Sequence, residues 1–329
     1  MKPILNLLTI LSLAVATYAQ TSTKVNAAEV IASPGKNLRI PVNCGNQEAN
    51  VKTVADGLKL LGNARPAVLL ISGTCHENVI ITSLDRITLE GNPTATIDGG
   101  SDPNVSTVFI ADSRNVQLTS LTITGGGDGL DCVQQSYCLL NQVTVQNAQA
   151  NGIRVAASRA ALLETVIQNN GAEGMAINSA SVGVVGGSVT GNGTAGISLR
   201  NGGILGVASD DPAPYASIEN NLGPGIMALS HSTVSLNGVN ITGNSGDGVT
   251  VQNASEMTTV LANISNNTGH QVRIGDLSFV RFAGLASNTI SGSSFPDVVC
   301  DPQFSTARQL AANAPGATTN CPPDLPPAP

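Results

Sequence analysis

The fold is decided by six short segments of one stretch: DGLDC (128–132), NGIRV (151–155), EGMAI (173–177), AGISL (195–199), PGIMA (224–228) and DGVTV (247–251). Each contains a glycine followed by a large apolar residue. Successive glycines, at 129, 152, 174, 196, 225 and 248, are 23, 22, 22, 29 and 23 residues apart. A repeat of this length is typical of a solenoid, and the one long step predicts an insertion between coils that otherwise stay in register.

A second series, of asparagines, keeps nearly the same spacing. Its members are Asn147, Asn169, Asn192, Asn221, Asn244 and Asn267. Asparagine tolerates left-handed backbone geometry, and equivalent side chains on successive coils can hydrogen-bond to one another. We therefore predict an asparagine ladder at one corner of the stack, which is a signal of fold rather than of function.

Leucine-rich repeats share this period and are the main alternative to a β-solenoid. The intervals here are short runs such as Val182–Val185 and Thr233–Leu236, which predict strands between turns. Alternating apolar residues within 152–155 and 248–251 predict strands that bury one face. The fold is therefore predicted to be all-β: a single-stranded right-handed parallel β-helix with a short N-terminal helical cap. Its hand follows from the preference of parallel crossovers.

Four segments are predicted along the chain. Residues 1–19 have the short apolar run and small final residues of a signal peptide, with cleavage near Ala19, so the protein is expected to be secreted or periplasmic. Residues 20–66 are a lead-in with a cap helix within 47–61, where apolar residues recur at helical spacing. Residues 67–300 form the β-helix. Residues 301–329 form a second cap, partly helical over 304–312, and a Pro-rich tail.

The six cysteines suit an oxidising compartment and allow fifteen disulfide pairings. Proximity in the sequence favours three local pairs: Cys44–Cys75, Cys132–Cys138 and Cys300–Cys321. Cys132 stands at an inward apolar position, so a buried thiol is the alternative for the middle pair.

The composition limits the classes of partner. Charged residues are 11% of the chain, aromatic residues 2%, and the formal net charge is −7. With no basic block, the sequence argues against nucleic acid and against anionic membrane surfaces. No later segment is predicted to span a membrane. The oligomeric state is left open.

The opening of the predicted β-helix resembles a known family. The run GTCHENV (73–79), followed by ITLEG (87–91), is similar to the start of many pectate-lyase-like and pectinesterase-like β-helix proteins. In those, a G-x-Y-x-E-x-V run precedes such a strand, and Cys75 stands where tyrosine is common. With the repeats, the resemblance covers about 47–300 and implies the fold. It does not carry over an activity, because the only paired acids, Asp210 and Asp211, lie in a Pro-rich loop and no G-H-G is present.

Candidate site residues follow from the alternation. The second residue after each repeat glycine should point outward, and parallel strands are about 4.8 Å apart, so Asp131 is expected beside Arg154. Asp128, Asn151 and Glu173 should lie at the adjoining corner, and Asn178 and Arg200 further along. The insertion, at 203–216, is expected to follow Arg200 directly and to close that end of the surface. The candidate ligand-binding residues are Asp128, Asp131, Arg154, Glu173, Asn178 and Arg200, with Asp210, Asp211 and Tyr215 of the insertion and His231 after it.

Three classes of function remain open from the sequence. The first is a module that binds an extended polysaccharide or another cell-surface component. The second is a structural or adhesive surface protein. The third is a polysaccharide lyase, epimerase or hydrolase acting on an extended glycan, with Asp131, Arg154 and Arg200 as catalytic candidates. The glycan on this face is expected to be acidic or neutral, and in an acidic one Arg154 and Arg200 could contact uronate carboxylates. A lyase would hold calcium with Asp128, Asp131 and Glu173 and accept a proton on Arg154. The simpler interpretation of Asp131 and Arg154 is a surface ion pair worth less than about 1 kcal/mol.

Overall fold

The structure is a computed structural model that describes residues 38–46, 48–62, 66–209, 216–283, 288–301, 305–308 and 310–322. The predicted signal peptide (1–19) and the insertion residues Asp210, Asp211 and Tyr215 lie outside these ranges. Among the described residues, no helix has the length and apolar character needed to cross a bilayer.

The described chain is an all-β parallel solenoid with two short helices. A regular coil contributes three strands, which we call its first, second and third strands. The first strands form a ten-stranded sheet: β3 (Val79–Thr82), β5 (Val108–Ala111), β7 (Leu130–Val133), β10 (Ile153–Ala156), β13 (Met175–Asn178), β16 (Ile197–Arg200), β19 (Ile226–Ala228), β22 (Val249–Val251), β25 (Val272–Ile274) and β28 (Val298–Cys300).

The second and third strands join a nineteen-stranded sheet. Its opening strands are β1 (Leu38–Asn43), β2 (Ala67–His76), β4 (Asp85–Asp98) and β6 (Arg114–Thr124). The second strands are β8 (Tyr137–Asn141), β11 (Arg159–Leu163), β14 (Ser181–Val185), β17 (Ile204–Ala208), β20 (Thr233–Asn237), β23 (Glu256–Val260), β26 (Phe279–Phe282) and β29 (Thr306–Arg308). The third strands are β9 (Thr144–Gln146), β12 (Val166–Gln168), β15 (Ser188–Thr190), β18 (Ala216–Glu219), β21 (Val239–Thr242), β24 (Asn263–Ser265) and β27 (Thr289–Ser291).

The core is a stack of aliphatic side chains inside the coils. Val155 of β10 pairs with Ile177 of β13, which pairs with Leu199 of β16. The residues predicted to point inward, Ile153, Val155, Ile177, Leu199 and Val251, are each at most 1% exposed, which confirms the predicted register. The right-handed sense of the coil remains a prediction from the preference of parallel crossovers.

One corner of the stack holds the predicted asparagine ladder, with a correction to its first members. The ladder consists of Asn170, Asn192, Asn221, Asn244 and Asn267 and ends on Gln271. In each asparagine, the backbone N–H and the side-chain N–H both donate to the side-chain oxygen of the next member. Placing Asn147 and Asn169 in the ladder is wrong. They are exposed corner residues with φ of 57° and 55°, one position before the ladder.

The first helix, α1 (Val54–Leu61), is shorter than the predicted segment and buries Val54, Gly57 and Leu61. Thr53 accepts a hydrogen bond from the N–H of Asp56 and caps the helix. The Glu77 carboxylate also accepts the N–H groups of Val54 and Ala55, at 2.7 and 3.1 Å. The glutamate of the opening motif therefore serves the start of this helix, where free N–H groups and the helix dipole favour a negative charge.

Parallel pairing extends beyond the predicted limits of the β-helix, 67 and 300. At the start, β1 pairs with β2 over six residues. At the end, β29 pairs with β26. The C-terminal segment predicted to be helical over 304–312 contains this strand, and helix α2 spans only Leu310–Asn313.

All three local disulfides predicted from the sequence are present: Cys44–Cys75, Cys132–Cys138 and Cys300–Cys321. Cys132 and Cys138 are both fully buried. The alternative of a buried Cys132 thiol is therefore wrong, because the inward position holds one half of a bridge.

Candidate functional site

The outward face of the ten-stranded sheet carries two rows of aligned residues. We call them the first row and the second row. The first row runs through Ile80, Phe109, Asp131, Arg154, Ala176, Ser198, Met227, Thr250 and Arg273. The second row runs through Val133, Ala156, Asn178 and Arg200. The register confirms that Asp131 lies directly beside Arg154.

Arg154 contacts two carboxylates at once. Its Nε donates to Oδ2 of Asp128 at 2.9 Å, and its Nη2 donates to Oδ2 of Asp131. Asn151 donates its backbone N–H and its side-chain N–H to Oδ1 of Asp128, both at 3.0 Å. The hydroxyl of Ser106 donates to Oδ2 of Asp131 at 2.8 Å. These five residues are the Arg154 cluster.

The Arg154 cluster is more buried than an ordinary surface ion pair. The Asp131 side chain is only 2% exposed, whereas that of Arg154 is 40% exposed. The simpler interpretation from the sequence, an exposed pair, therefore does not describe Asp131. Two oxygens of the cluster, Oδ1 of Asp131 and Oδ1 of Asn151, are buried without a hydrogen-bond partner among the described residues. Such atoms are uncommon in folded proteins and call for an explanation.

Burial shifts the acid–base behaviour of the cluster. Burial raises the pKa of the Asp131 carboxyl, although hydrogen bonds from Arg154 and Ser106 act in the opposite direction. For Arg154, burial tends to lower the pKa, but the hydrogen bonds and charges of Asp131 and Asp128 outweigh it and the pKa is raised. Arg154 is therefore held in its protonated form, which does not suit the role of proton acceptor considered for a lyase.

The titration of Asp131 gives a prediction for the variant Asp131→Asn. The folded protein holds the Asp131 proton more tightly than the unfolded chain, in which an aspartate has a pKa of about 3.9. The stability contribution of Asp131 is therefore fully present below that value and is lost as the pH rises through the folded-state pKa. Because asparagine does not titrate, the free energy of unfolding of the variant, relative to wild type, should increase from acidic to neutral pH. Urea titrations across this range measure it, and a constant or decreasing difference contradicts the prediction.

The other predicted residues of the face form a looser arrangement. Glu173 faces Arg200 at 3.6 Å, and the Ser198 hydroxyl approaches the same glutamate oxygen at 3.5 Å. Asn178 is aligned with Arg200 and accepts a hydrogen bond from the side chain of Asn201 at 2.9 Å. Glu173 and Arg200 thus form a second ion pair along the same face, with the Arg200 side chain 48% exposed.

A third ion pair repeats part of the Arg154 cluster further along the stack. Arg273 donates from Nε to Oδ2 of Asp247 at 2.7 Å, and the His270 N–H donates to Oδ1 of Asp247 at 2.8 Å. Asp247 and Arg273 occupy the same repeat positions as Asp128 and Arg154. Where the Arg154 cluster has Asp131, this coil has Thr250, whose hydroxyl donates to Asp247.

The insertion lies at a different corner from the one predicted. Strand β17 continues in register with β14 over its whole length, so the extra residues do not directly follow Arg200. They lie between Ala208 and Ala216, at the connection of a second strand to a third strand, whereas both rows lie on first strands. His231 is exposed at the connection between β19 and β20. The stack is therefore not interrupted directly after Arg200, and the closing of the rows by Asp210, Asp211 and Tyr215 stays a prediction.

The carboxylates do not fit the calcium site considered for a lyase. Among the described residues, the only three His, Cys, Asp or Glu ligand atoms within 4.8 Å of one another belong to Cys44, Cys75 and Glu77. Those cysteines form a disulfide. Asp128, Asp131 and Glu173 thus do not converge, and the guanidinium of Arg154 binds the first two.

Sequence reasoning missed three residues at this site. Phe109 lies beside Asp131 in the first row and is partly exposed, and Ile80, which precedes it, is 60% exposed. The alternation in VFIA (108–111) was a usable signal, but it stands before the first repeat glycine, where the repeat could not supply the register. Ser106 lies in the irregular connection before β5, and no periodic pattern marks it.

Comparison with known proteins supports the fold. Residues 128–211 match a family model described as a right handed beta helix region. The A-module of mannuronan C-5 epimerase AlgE6 from Azotobacter vinelandii is similar in structure, with a TM-score of 0.58 and 16% identity, over 80% of this chain and 77% of that one. Pectate lyase Pel9A gives a TM-score of 0.55 and 11% identity, over 80% and 78%.

These matches agree with the β-helix fold described above, and at such identities the structural likeness concerns the fold alone. The sequence has no match among the curated proteins with which it was compared.

Proposed function

We propose that the protein is a secreted module that binds an extended polysaccharide along the outward face of the ten-stranded sheet, across the Arg154 cluster. The observation that carries the proposal is the buried Asp131 carboxylate on that face, with an unpartnered oxygen and a partly exposed aromatic ring beside it. Sugar sites combine polar groups that fix orientation with an apolar surface, and Phe109 supplies the second part.

The regular face suits a polymer rather than a small molecule. Equivalent side chains recur about every 4.8 Å along the rows, so polar groups can meet successive units of an extended chain. The two similar structures described above are named for activities on polysaccharides, mannuronan and pectate. Three disulfides and the predicted signal peptide support export. The protonated state of Arg154 favours binding over the lyase alternative, in which this residue would have to act as a base.

The proposal is tested by a glycan array with the protein lacking residues 1–19, followed by calorimetry on each hit. Arg154 is not a useful probe, since its removal would leave two carboxylates unpaired. We expect the double variant Phe109→Ala, Arg200→Ala to weaken binding by about tenfold or more, because it removes a stacking surface and an exposed donor from the same face.

The matched control is Tyr137→Ala with Arg159→Ala. Both residues are exposed and belong to second strands, outside the two rows. We expect this variant to bind like wild type. Equal binding by both double variants, each folded by circular dichroism, places the ligand elsewhere. If no glycan binds, a structural or adhesive role replaces the proposal.

A further inference from the structure

The two unpartnered atoms of the Arg154 cluster are both acceptors. Oδ1 of Asp131 and Oδ1 of Asn151 are buried and have no donor among the described residues. The remaining carboxylate oxygens of the cluster are satisfied: those of Asp128 by Asn151 and Arg154, and Oδ2 of Asp131 by Ser106 and Arg154. What the cluster lacks is therefore a hydrogen-bond donor. A buried acceptor left unpaired is costly, so a donor is favoured there; because neighbouring atoms cover both oxygens, a ligand donor reaches them when a covering side chain moves aside.

The coil of Asp247 shows that the fold does not require this deficit. Its aspartate and arginine make the same contact as Asp128 and Arg154, with Nε to Oδ2 distances of 2.7 and 2.9 Å. Thr250 stands in the place of Asp131 and is satisfied by its own hydrogen bond to Asp247. The aspartate–arginine contact therefore forms without a second carboxylate at this position. The structural role of that contact does not explain the presence of Asp131.

The arginines of the two rows do not form an anion site. Arg154 contacts Asp128 and Asp131, Arg200 faces Glu173, and Arg273 contacts Asp247. Counted over these three separate sites, four carboxylates face three guanidinium groups, so their summed formal charge is −1. The whole chain is also negative, at −7. A ligand carboxylate could reach only the remaining N–H groups of these arginines, and it would meet repulsion from the acids that they already contact.

Phe109 adds a surface of matching character. It lies next to Asp131 in the first row and is partly exposed. The face of an aromatic ring carries negative charge density, which attracts cations and polarised hydrogens. The ring and the unpaired acceptors therefore favour the same kind of ligand group.

From these contacts we infer that the Arg154 cluster binds a sugar unit through a hydrogen-bond donor, a hydroxyl or an ammonium group, and that its two carboxylates against one guanidinium discriminate against the added negative charge of uronates. The inference rests on the proposed polysaccharide-binding function and names the class of sugar for that same site. Asp131 is the residue that makes the selection, with Asn151 as the second acceptor and Phe109 as the adjoining surface. Polysaccharides of neutral sugars or amino sugars are the corresponding ligands.

The test measures calorimetric binding of three oligosaccharides of equal length: a neutral glucan, a glucosamine polymer and a galacturonate polymer. We expect the galacturonate chain to bind wild type more weakly than the better of the other two, by about tenfold or more. Tight binding of the glucosamine chain alone identifies ammonium as the donor. Comparable binding of the glucan and glucosamine chains identifies hydroxyl.

The variant Asp131→Thr copies the coil of Thr250 and should fold, because that arrangement already exists in the stack. We expect it to lose the preference, with binding of the favoured oligosaccharide reduced by about tenfold, while the control Thr258→Ser, on a second strand outside the two rows, binds like wild type. Tighter binding of galacturonate, or an unchanged Asp131→Thr profile, overturns the inference and leaves the polysaccharide-binding function standing. The comparison on wild type decides the matter even if the variant does not fold. Failure of all three chains to bind overturns the inference, whereas the glycan array alone decides the proposed function.

Discussion

Replacing Ile177 with aspartate should prevent the protein from folding stably. Ile177 is 1% exposed and lies between Val155 and Leu199 in the interior stack. A carboxylate there has no water and no polar partner, so it must be protonated or remain as an unpaired buried charge. We expect a loss of roughly 5 kcal/mol or more, against a typical total free energy of unfolding of about 5–15 kcal/mol.

Chemical denaturation followed by circular dichroism, with limited proteolysis of the native protein, measures this loss. The control is Asn178→Asp, which places the same group one residue later at an exposed position aligned with Arg200. It should unfold close to the wild-type midpoint. A wild-type midpoint for Ile177→Asp would show that the inward and outward faces of β13 are reversed.

The second large effect is expected for Asn221→Ala, in the middle of the asparagine ladder. Asn221 is fully buried, and its side-chain oxygen accepts two hydrogen bonds from Asn192, at 3.0 and 2.9 Å. Its side-chain N–H groups donate to Asn244 and to the carbonyl of Val189. Alanine leaves the backbone N–H and one side-chain N–H of Asn192 without their acceptor, and it removes the side-chain donor to Val189. The side-chain oxygen of Asn244 keeps only the backbone N–H of residue 221. We expect the variant to lose about 3–5 kcal/mol of stability.

Asn147→Gly is the matched control for the ladder. Asn147 is exposed and outside the ladder, and glycine keeps its left-handed backbone geometry without strain. Urea titration should show a lower midpoint with an unchanged slope for Asn221→Ala and little change for Asn147→Gly. Equal destabilisation by the two variants would contradict the observed membership of the ladder.

The sequence predicts most of the fold because the fold repeats. The alternation around each glycine predicts the inward and outward residues of one strand. The spacing of the glycines then predicts which residues of neighbouring coils are aligned, including Asp131 beside Arg154. The same spacing misplaces Asn147 and Asn169, because a step of 22 or 23 residues does not distinguish a corner residue from the one after it. Burial decides the matter, since Asn170 is 2% exposed and Asn169 is exposed.

The candidate site is less predictable for a physical reason. The contacts of Asp131 reach back to Ser106, in an irregular connection, and sideways to Phe109, on a strand before the repeat begins. The surroundings of Asp131 therefore include residues that lie outside the repeat pattern. A repeating pattern describes what all coils have in common. The candidate site consists of residues in which one coil differs from the others, so the pattern does not predict it.

The serine series shows the same limit. In this series, the backbone N–H of each serine donates to the hydroxyl of the serine on the next coil. One run consists of Ser113, Ser136 and Ser158, and a second of Ser232, Ser255 and Ser278. Serine is common in this chain, and the series is interrupted where the intervening coils have other residues, so it does not stand out from the sequence.

The coil of 29 residues shows how separable the units of this molecule are. This coil has seven residues more than the 22-residue coils, and the extra residues stand between β17 and β18 in the sequence. Both strands nevertheless remain in register with the coils before and after them. Each coil contacts mainly its neighbours, so one whole coil can be added or removed without changing the structure of the others. Duplicating 175–196, one full period, should lengthen the molecule by about 4.8 Å and move Asp247 and Arg273 away from the Arg154 cluster by that increment. The distance between two ligand contacts on this face is then an adjustable quantity, set by a whole number of coils.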